Sequence, residues 1–344
     1  MPDDSRKDLF EHPVQLLRLG QKLIESGKAD QALTLAQQAR AARPGDPLIE
    51  RIARQLHYYK VPTYHHGMLR DHPRNAAYRR AIEAVAAGRV VLDIGSGSGL
   101  LAMMAARAGA AHVHTCEMLP QLAATAREII AANGLSDRIT VHSCHSAKLD
   151  RQRDLGGGAD LIINEILAHD VVGEHILPAM AHAKAELTAP GALVLPEKAS
   201  VRIALAQQVR EYGPLGEVEG FDLSLFNRHV KGQELRRPAR PDCNLRSAPA
   251  DLFEFDFAGE ISLEGRAESK LLTDGGPINC IAQWIHVDLG SGVIYENSPE
   301  TNPEGHWRVG VYTVDPVLSP PSGTAVAVHG WHDHRSIQIW SDPA

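Results

Sequence analysis

The 344-residue chain predicts an α/β fold with a doubly wound parallel sheet, followed by an antiparallel β-barrel or sandwich and preceded by an α-helical segment. The first sign is Val90–Leu101, where an apolar strand runs into a glycine loop and opens at once into a helix. The second is the alternation of strand and helix patterns from there to about residue 196, as a doubly wound sheet requires. The third is the change after Leu195-Pro196 to short alternating runs broken by turn residues, the signature of antiparallel strands. The length exceeds one ordinary core. It divides into helices over 1–57, an α/β domain over 58–196 and a β domain over 197–344.

The net charge of −7 argues against a direct nucleic-acid binder, and a negative field suits a cationic substrate such as a basic protein tail. Cys116, Cys144, Cys243 and Cys280 are scattered with no Cys-x-x-Cys pair, so neither a structural zinc site nor a disulfide framework is expected. A reducing, cytoplasmic location fits. The start, Met1 to Lys7, has no apolar leader, and no later run approaches the ~18 consecutive apolar residues of a membrane span.

In chain order, Val14–Glu25 and Asp30–Ala42 have helical periodicity, are separated by Ser26-Gly27-Lys28 and stop at Pro44-Gly45-Asp46. A third helix is expected from about Pro47 to Gln55. Leu19-Gly20, Leu23, Ala32, Ala36, Ala39 and Pro44 fall where a tetratricopeptide repeat places its small and apolar residues. A single such repeat is either a peptide-binding module or an amphipathic cap on the next domain. A helix-prone segment, Tyr58 to Ile82, leads to the first strand.

In Val90-Val91-Leu92-Asp93-Ile94-Gly95-Ser96-Gly97-Ser98-Gly99, the strand suits the centre of a parallel sheet, and the alternate glycines let backbone N–H groups approach a ligand. A dinucleotide fingerprint wants its third glycine one place later, where this chain has Leu100. The next strand, Ala111 to Cys116, delivers Glu117, an acid placed to accept both hydroxyls of a ribose. Asp93 ahead of Gly-x-Gly-x-Gly resembles the first motif of the class I S-adenosylmethionine methyltransferases, and Glu117 in register supports it. Beyond Glu117, a helix is expected over Gln121–Asn133 and a strand over Arg138–Cys144.

Further motifs narrow the resemblance to the protein arginine methyltransferases. Met68-Leu69-Arg70-Asp71 with Arg74 and Tyr78 is similar to that family's N-terminal helix, and implies cofactor contacts from His65, Met68 and Arg74, the last on the cofactor carboxylate. A guanidinium fork matches a carboxylate in bidentate fashion. The resemblance also implies that Asp93, Gly95, Gly97, Gly99 and Glu117 hold S-adenosylmethionine, with His145 and Ser146 beside the adenine, where better-known members carry an acid. Ala159–Asn164 reads as a buried strand that delivers Glu165 at its end, and Glu174 follows nine places later. This segment resembles the family's double-glutamate loop. Two carboxylates gripping a guanidinium offset its repulsion from a sulfonium and draw positive charge from the nitrogen that reacts; otherwise they are solvated surface acids.

In the β region, strands are expected over Ala199–Gln207, Leu252–Phe257, Ile278–Leu289, Arg308–Val314, Thr324–His329 and Ser336–Trp340. Gln283 to Leu289, Ser298-Pro299 and Gly305-His306-Trp307 are similar to the family's barrel and its Thr-His-Trp loop, with Gly305 in place of threonine. The resemblance implies that His306 takes up a proton or orients a substrate-binding glutamate and that Trp307 lines the arginine channel; packing is the alternative. Two family features are not recognisable: an acid partner for His306, and the Tyr-Phe-x-x-Tyr segment, at Tyr58 to Tyr64. Glu217 to Ser224 resembles the end of a dimerisation arm, which implies a homodimer. His332-Asp333-His334 is expected to be a polar turn, and no metal site is expected.

The sequence therefore points to methyl transfer from S-adenosylmethionine to arginine of a protein or peptide, with Glu165, Glu174 and His306 at the chemistry. Methylation of another nucleophile on the same fold, or an inactive scaffold that binds partners through its helical repeat, are the alternatives.

Overall fold

The computed structural model describes residues 9–59, 61–208, 215–229, 232–237, 243–302 and 305–342. The segment Met1 to Lys7, read above for a leader, lies outside them. The described residues form two compact units, one of residues 9–66, 82–164 and 186–192, the other of residues 67–81, 165–185 and 193–342.

In the first unit, α1 (Pro13–Glu25), α2 (Ala29–Ala42) and α3 (Pro47–Tyr58) share one core built on Leu16, Ala36, Ile49 and Leu56. Asp46 caps α3, accepting from the backbone N–H groups of Leu48 and Ile49 at 2.8 and 3.2 Å. Gly20 sets the approach of α1 to α3, since a Cβ there would stand 2.5 Å from Leu56 Cδ1. α2 also packs on α7 (Pro120–Ala132) of the same unit, the contact that the helical-cap alternative requires.

The parallel sheet follows α4 (His65–Arg70) and α5 (His72–Val85). Its strands are β1 (Val90–Ile94), β2 (His112–Cys116), β3 (Ile139–His142), β4 (Ala159–Asn164) and β5 (Thr188–Leu195), in the order β3-β2-β1-β4-β5, with α6 (Leu100–Arg107) after β1 and α8 (Ile176–Glu186) after β4. Val91, Leu92 and Leu161 to Ile163 are wholly buried, which is why β1 and β4 read as continuous apolar runs rather than alternations. Strand order reverses between β1 and β4, and ligands bind at the carboxyl ends of strands at such a switch point. Those ends carry Gly95 and Asn164.

The second unit holds the antiparallel strands. Around β6 (Lys198–Gln208) the large sheet adds β9 (Gln233–Arg236), β10 (Cys243–Leu245), β11 (Ala250–Asp256), β13 (Ile278–Asp288), β14 (Ile294–Glu296) and β15 (Val309–Leu318). A three-stranded sheet contains β12 (Gly265–Leu272), β16 (Ala325–His332) and β17 (Ile337–Ser341), and β7 (Glu217–Val218) pairs with β8 (Phe221–Asp222). β12 was not expected: its residues are charged or half-exposed along most of its length, so it lacks the apolar alternation that marks a strand. Of His332-Asp333-His334, the first ends β16 and is buried, and the turn begins at Asp333, whose Oδ1 accepts from the N–H groups of Arg335 and Ser336. Among the described residues, no helix is long and apolar enough to cross a membrane and no cluster of three or more His, Cys, Asp or Glu side chains is arranged to hold a metal ion.

Candidate active site

In the first unit, Gly95, Gly97 and Gly99 all have positive φ (86°, 51° and 80°), a conformation that side chains with a Cβ rarely adopt. The turn is pinned to β2, because Cys116 O accepts from both Gly95 N and Ser96 N at 3.0 Å. Gly99 starts α6 without any side-chain cap, so the first N–H groups of that helix face the loop without a side-chain partner. Asp93, 1% exposed, accepts from the Thr115 hydroxyl at 2.8 Å. Glu117 Oε2 accepts from Gly97 N at 3.0 Å and Oε1 from Leu119 N at 2.8 Å, so this acid also shapes the loop. Burial raises the Glu117 carboxyl, opposed by the backbone N–H groups of Leu119, Gly97 and Met118.

This cradle fits a nucleoside cofactor. Ser96 Oγ, His65 Nε2 and Gln121 Oε1 are buried and make no hydrogen bond among the described residues, as expected of groups kept for a polar ligand. Space above Gly97 is open to the His65 ring, whose Nδ1 would stand 3.9 Å from a Cβ at that glycine. His145 is exposed and its Nδ1 accepts from Ala147 N at 3.1 Å, while Ser146 is buried at the start of a short turn after β3. Glu117→Gln should weaken binding of S-adenosylhomocysteine by about 10- to 100-fold, the value of one or two charge-assisted hydrogen bonds. Isothermal calorimetry measures this directly.

In the second unit, Arg74 and Glu165 form an ion pair of 2.6 Å with side chains 2% and 6% exposed. Arg74 Nη1 also donates to Asn75 Oδ1 at 2.7 Å, and the guanidinium lies over the Tyr78 ring. Its Nε is buried without a hydrogen-bond partner among the described residues, so the fork retains a donor. Burial raises the Glu165 carboxyl, opposed by Arg74 and then His306.

His306 Nε2 stands 3.9 Å from Glu165 Oε1, and His306 Nδ1 is 3.0 Å from Asp71 Oδ2. The acid partner of His306, not recognised in the sequence, is therefore Asp71. It escaped because it lies 235 residues away on the turn between α4 and α5, inside a motif read only for its cofactor contacts. Burial alone would raise the Asp71 carboxyl, but hydrogen bonds from His306, Tyr295 and the N–H groups of Arg74 and His306 hold it at about 2. An ionised carboxylate only accepts, so Nδ1 of His306 carries the proton of this bond.

The Asp71 shift fixes a stability window. Because the folded-state value lies below the unfolded one, its contribution is complete above about pH 4 and disappears as pH falls toward 2, a loss of about 2 kcal/mol. Chemical denaturation should show this acid loss in the parent protein and not in Asp71→Asn.

The loop from Glu165 to Glu174 is held by main-chain carbonyls. Trp307 Nε1 donates to Leu167 O at 2.7 Å and Gln283 Nε2 to His169 O at 2.7 Å. Trp307 is 6% exposed. Its observed contact is with the acidic loop. Gln283, read only as part of a strand motif, serves the same end. Glu174 is half-buried at the end of a single turn, Val172–Glu174, between Val171 and His175, whose φ values are 70° and 62°. Positive φ at a β-branched valine costs about 1–3 kcal/mol and persists only where the surroundings impose it. Met68 is buried in this unit.

Residues 72–195 match the family described as ribosomal protein L11 methyltransferase (PrmA). Over 332 residues the chain is 39% identical to the arginine N(omega)-methyltransferase of Streptomyces achromogenes subsp. streptozoticus, covering 92% of this chain and 90% of that protein. It is 30% identical to protein arginine N-methyltransferase 7 of Oryza sativa subsp. japonica over 81% of this chain, and spans 40% of that longer relative. Among solved structures, the Trypanosoma brucei PRMT1 enzyme-prozyme complex with AdoHcy superposes with a TM-score of 0.72 at 24% identity, covering 80% of this chain and 91% of that one. PRMT6 with SAH gives a TM-score of 0.63 at 22% identity, covering 81% and 99%. These two likenesses are of fold.

Proposed function

The chain belongs to the S-adenosylmethionine-dependent arginine N-methyltransferases, and from that premise we propose that Glu165 and Glu174 clamp the guanidinium of the substrate while His306 receives the proton released. The observation that carries this reading is the buried Glu165 carboxylate, with Oε2 paired to Arg74 at 2.6 Å and Oε1 3.9 Å from His306 Nε2. Bound S-adenosylmethionine supplies a methyl group on a sulfonium sulfur. The glycine loop and Glu117 would hold its nucleoside, and Arg74 would take its carboxylate, with Nε the donor left without a partner among the described residues. Arg74 also acts on the acid beside it, because its positive charge favours ionised Glu165 against burial.

A substrate guanidinium enters protonated and leaves protonated with one methyl more, so one proton must depart. With Nδ1 donating to Asp71, His306 directs Nε2 to the side of Glu165, where it would take up that proton. Trp307 and Gln283 contribute by holding the acidic loop still, which matters because methyl transfer needs an in-line approach.

A protein or peptide arginine is the substrate favoured by the negative net charge. Free arginine is the second reading, since the 39% identical relative is named for arginine and the rice relative for protein arginine. Labelled S-adenosylmethionine offered with free arginine, arginine-rich and lysine-rich polypeptides separates these, with mass spectrometry locating the methyl. Label on guanidino nitrogen is expected; label confined to lysine or an amine overturns the clamp.

A second copy of the chain is the partner proposed for the segment 215–229. There Phe221, Leu225 and Phe226 are 71%, 71% and 64% exposed on a hairpin and following turn, more apolar surface than a solvated arm needs. Light scattering should report a dimer, and Phe221→Ser with Phe226→Ser should shift it to monomer.

A further inference from the structure

We infer that Tyr295 is a positioning residue of the Asp71–His306 pair, and that Gly305 is the complementary residue that leaves room for its hydroxyl. The inference rests on the arginine methyl-transfer reading and names a residue which that reading does not need.

The Asp71 side chain is wholly buried. Its Oδ1 accepts from Arg74 N at 3.0 Å. Three donors converge on Oδ2: the Tyr295 hydroxyl at 2.6 Å, His306 N at 3.0 Å and His306 Nδ1 at 3.0 Å. Three donors crowd the lone pairs of one oxygen, so they compete for its charge. The phenol makes the shortest of these bonds. How much negative charge remains for the imidazole is therefore set in large part by Tyr295, whose hydroxyl donates to the same Oδ2.

The phenol is built to donate rather than ionise. Burial and the neighbouring Asp71 push its own pKa far up, and Asn302 makes a hydrogen bond to it that leaves its proton for Asp71. Tyr295 is carried on β14, in register with Val287 of β13, and its ring packs edge-on against Trp307 with centroids 5.4 Å apart. A strand rather than a loop fixes the donor.

Gly305 immediately precedes His306. A Cβ at 305 would stand 3.2 Å from the Tyr295 hydroxyl and 3.3 Å from both Asn302 Nδ2 and Asn302 O. Any side chain there presses on the hydroxyl and on the amide that orients it. This gives a physical reason for glycine where the resemblance places threonine: the space is occupied by a donor from the neighbouring strand. Among the described residues, the charged and titratable groups that act on the pair include Arg74, Glu165 and Tyr295 itself.

The test is Tyr295→Phe, which removes one oxygen and keeps the ring. Without the phenol, Oδ2 keeps more charge for the imidazole N–H, and the Asp71 carboxyl loses one of the hydrogen bonds that hold it down. We expect kcat to fall about tenfold with both KM values within about twofold, and the acid limb of kcat to move up by about half a unit. Carbon-13 NMR of the Asp71 carboxyl should show its titration at higher pH in the variant. An unchanged limb and an unchanged Asp71 titration would mean that Tyr295 only packs, and would overturn the inference. Should the variant fold poorly, 3-fluorotyrosine at position 295 keeps the shape with a stronger donor and must move the limb the opposite way. Gly305→Ala should cost several-fold in kcat beside Tyr295 and much less beside phenylalanine; strictly additive losses would break the pairing. Since the Asp71 titration needs no methyl transfer, it decides the inference even if arginine is not the substrate.

Discussion

Glu165→Gln should lower arginine methylation on the order of a thousandfold, the usual scale for removing a preorganised charge from a reacting centre. It should also destabilise the protein by about 3–5 kcal/mol, because breaking one side of a buried ion pair leaves the other charge uncompensated. Arg74, 2% exposed, would lose the carboxylate 2.6 Å away. Activity and stability are separable here. Replacing both partners by apolar residues, Arg74→Met with Glu165→Leu, removes both buried charges, so denaturant unfolding should return close to the parent value while methyl transfer stays absent. A double variant that regains activity as well as stability would show that Glu165 does not touch the substrate.

Arg74→Met alone should behave differently, because it acts through the acid it leaves behind. Burial already raises the Glu165 carboxyl and Arg74 is the leading influence that opposes this. Without the guanidinium the carboxyl rises further, which favours its neutral form. A neutral acid does not clamp a cation. Methyl transfer should therefore be nearly lost near pH 7, with partial recovery as pH rises, so that the acid limb of the profile moves upward. If Arg74 also holds the cofactor carboxylate, affinity for S-adenosylhomocysteine should drop, while that for 5′-methylthioadenosine, which has no amino-acid group, should not. Equal losses for both ligands would place Arg74 outside the carboxylate subsite.

The strand-to-glycine-loop unit and the order of layers were legible in the chain because they rest on local rules. Apolar continuity makes β1 a central parallel strand, the alternate glycines take up positive φ, and the acid at the end of β2 follows about 20 residues later. Glu165 was legible for the same reason, as the residue directly after a buried strand. Trp307 was identified as a site residue from its loop, but its observed hydrogen bond goes to the backbone of the acidic loop, a partner that no local pattern specifies.

What the sequence by itself determined is the fold class, the glycine loop with its two acids and the set of charged residues at the strand ends, since each follows from neighbours within a few turns of chain. Tertiary structure alone decided who pairs with whom. Asp71 and His306 meet across 235 residues, Tyr295 reaches Asp71 across 224, and Gln283 reaches the acidic loop across 114. Such pairings are selected by the cost of burying an unpartnered polar group, and that cost exists only once the antiparallel sheet and the acidic loop have closed around them.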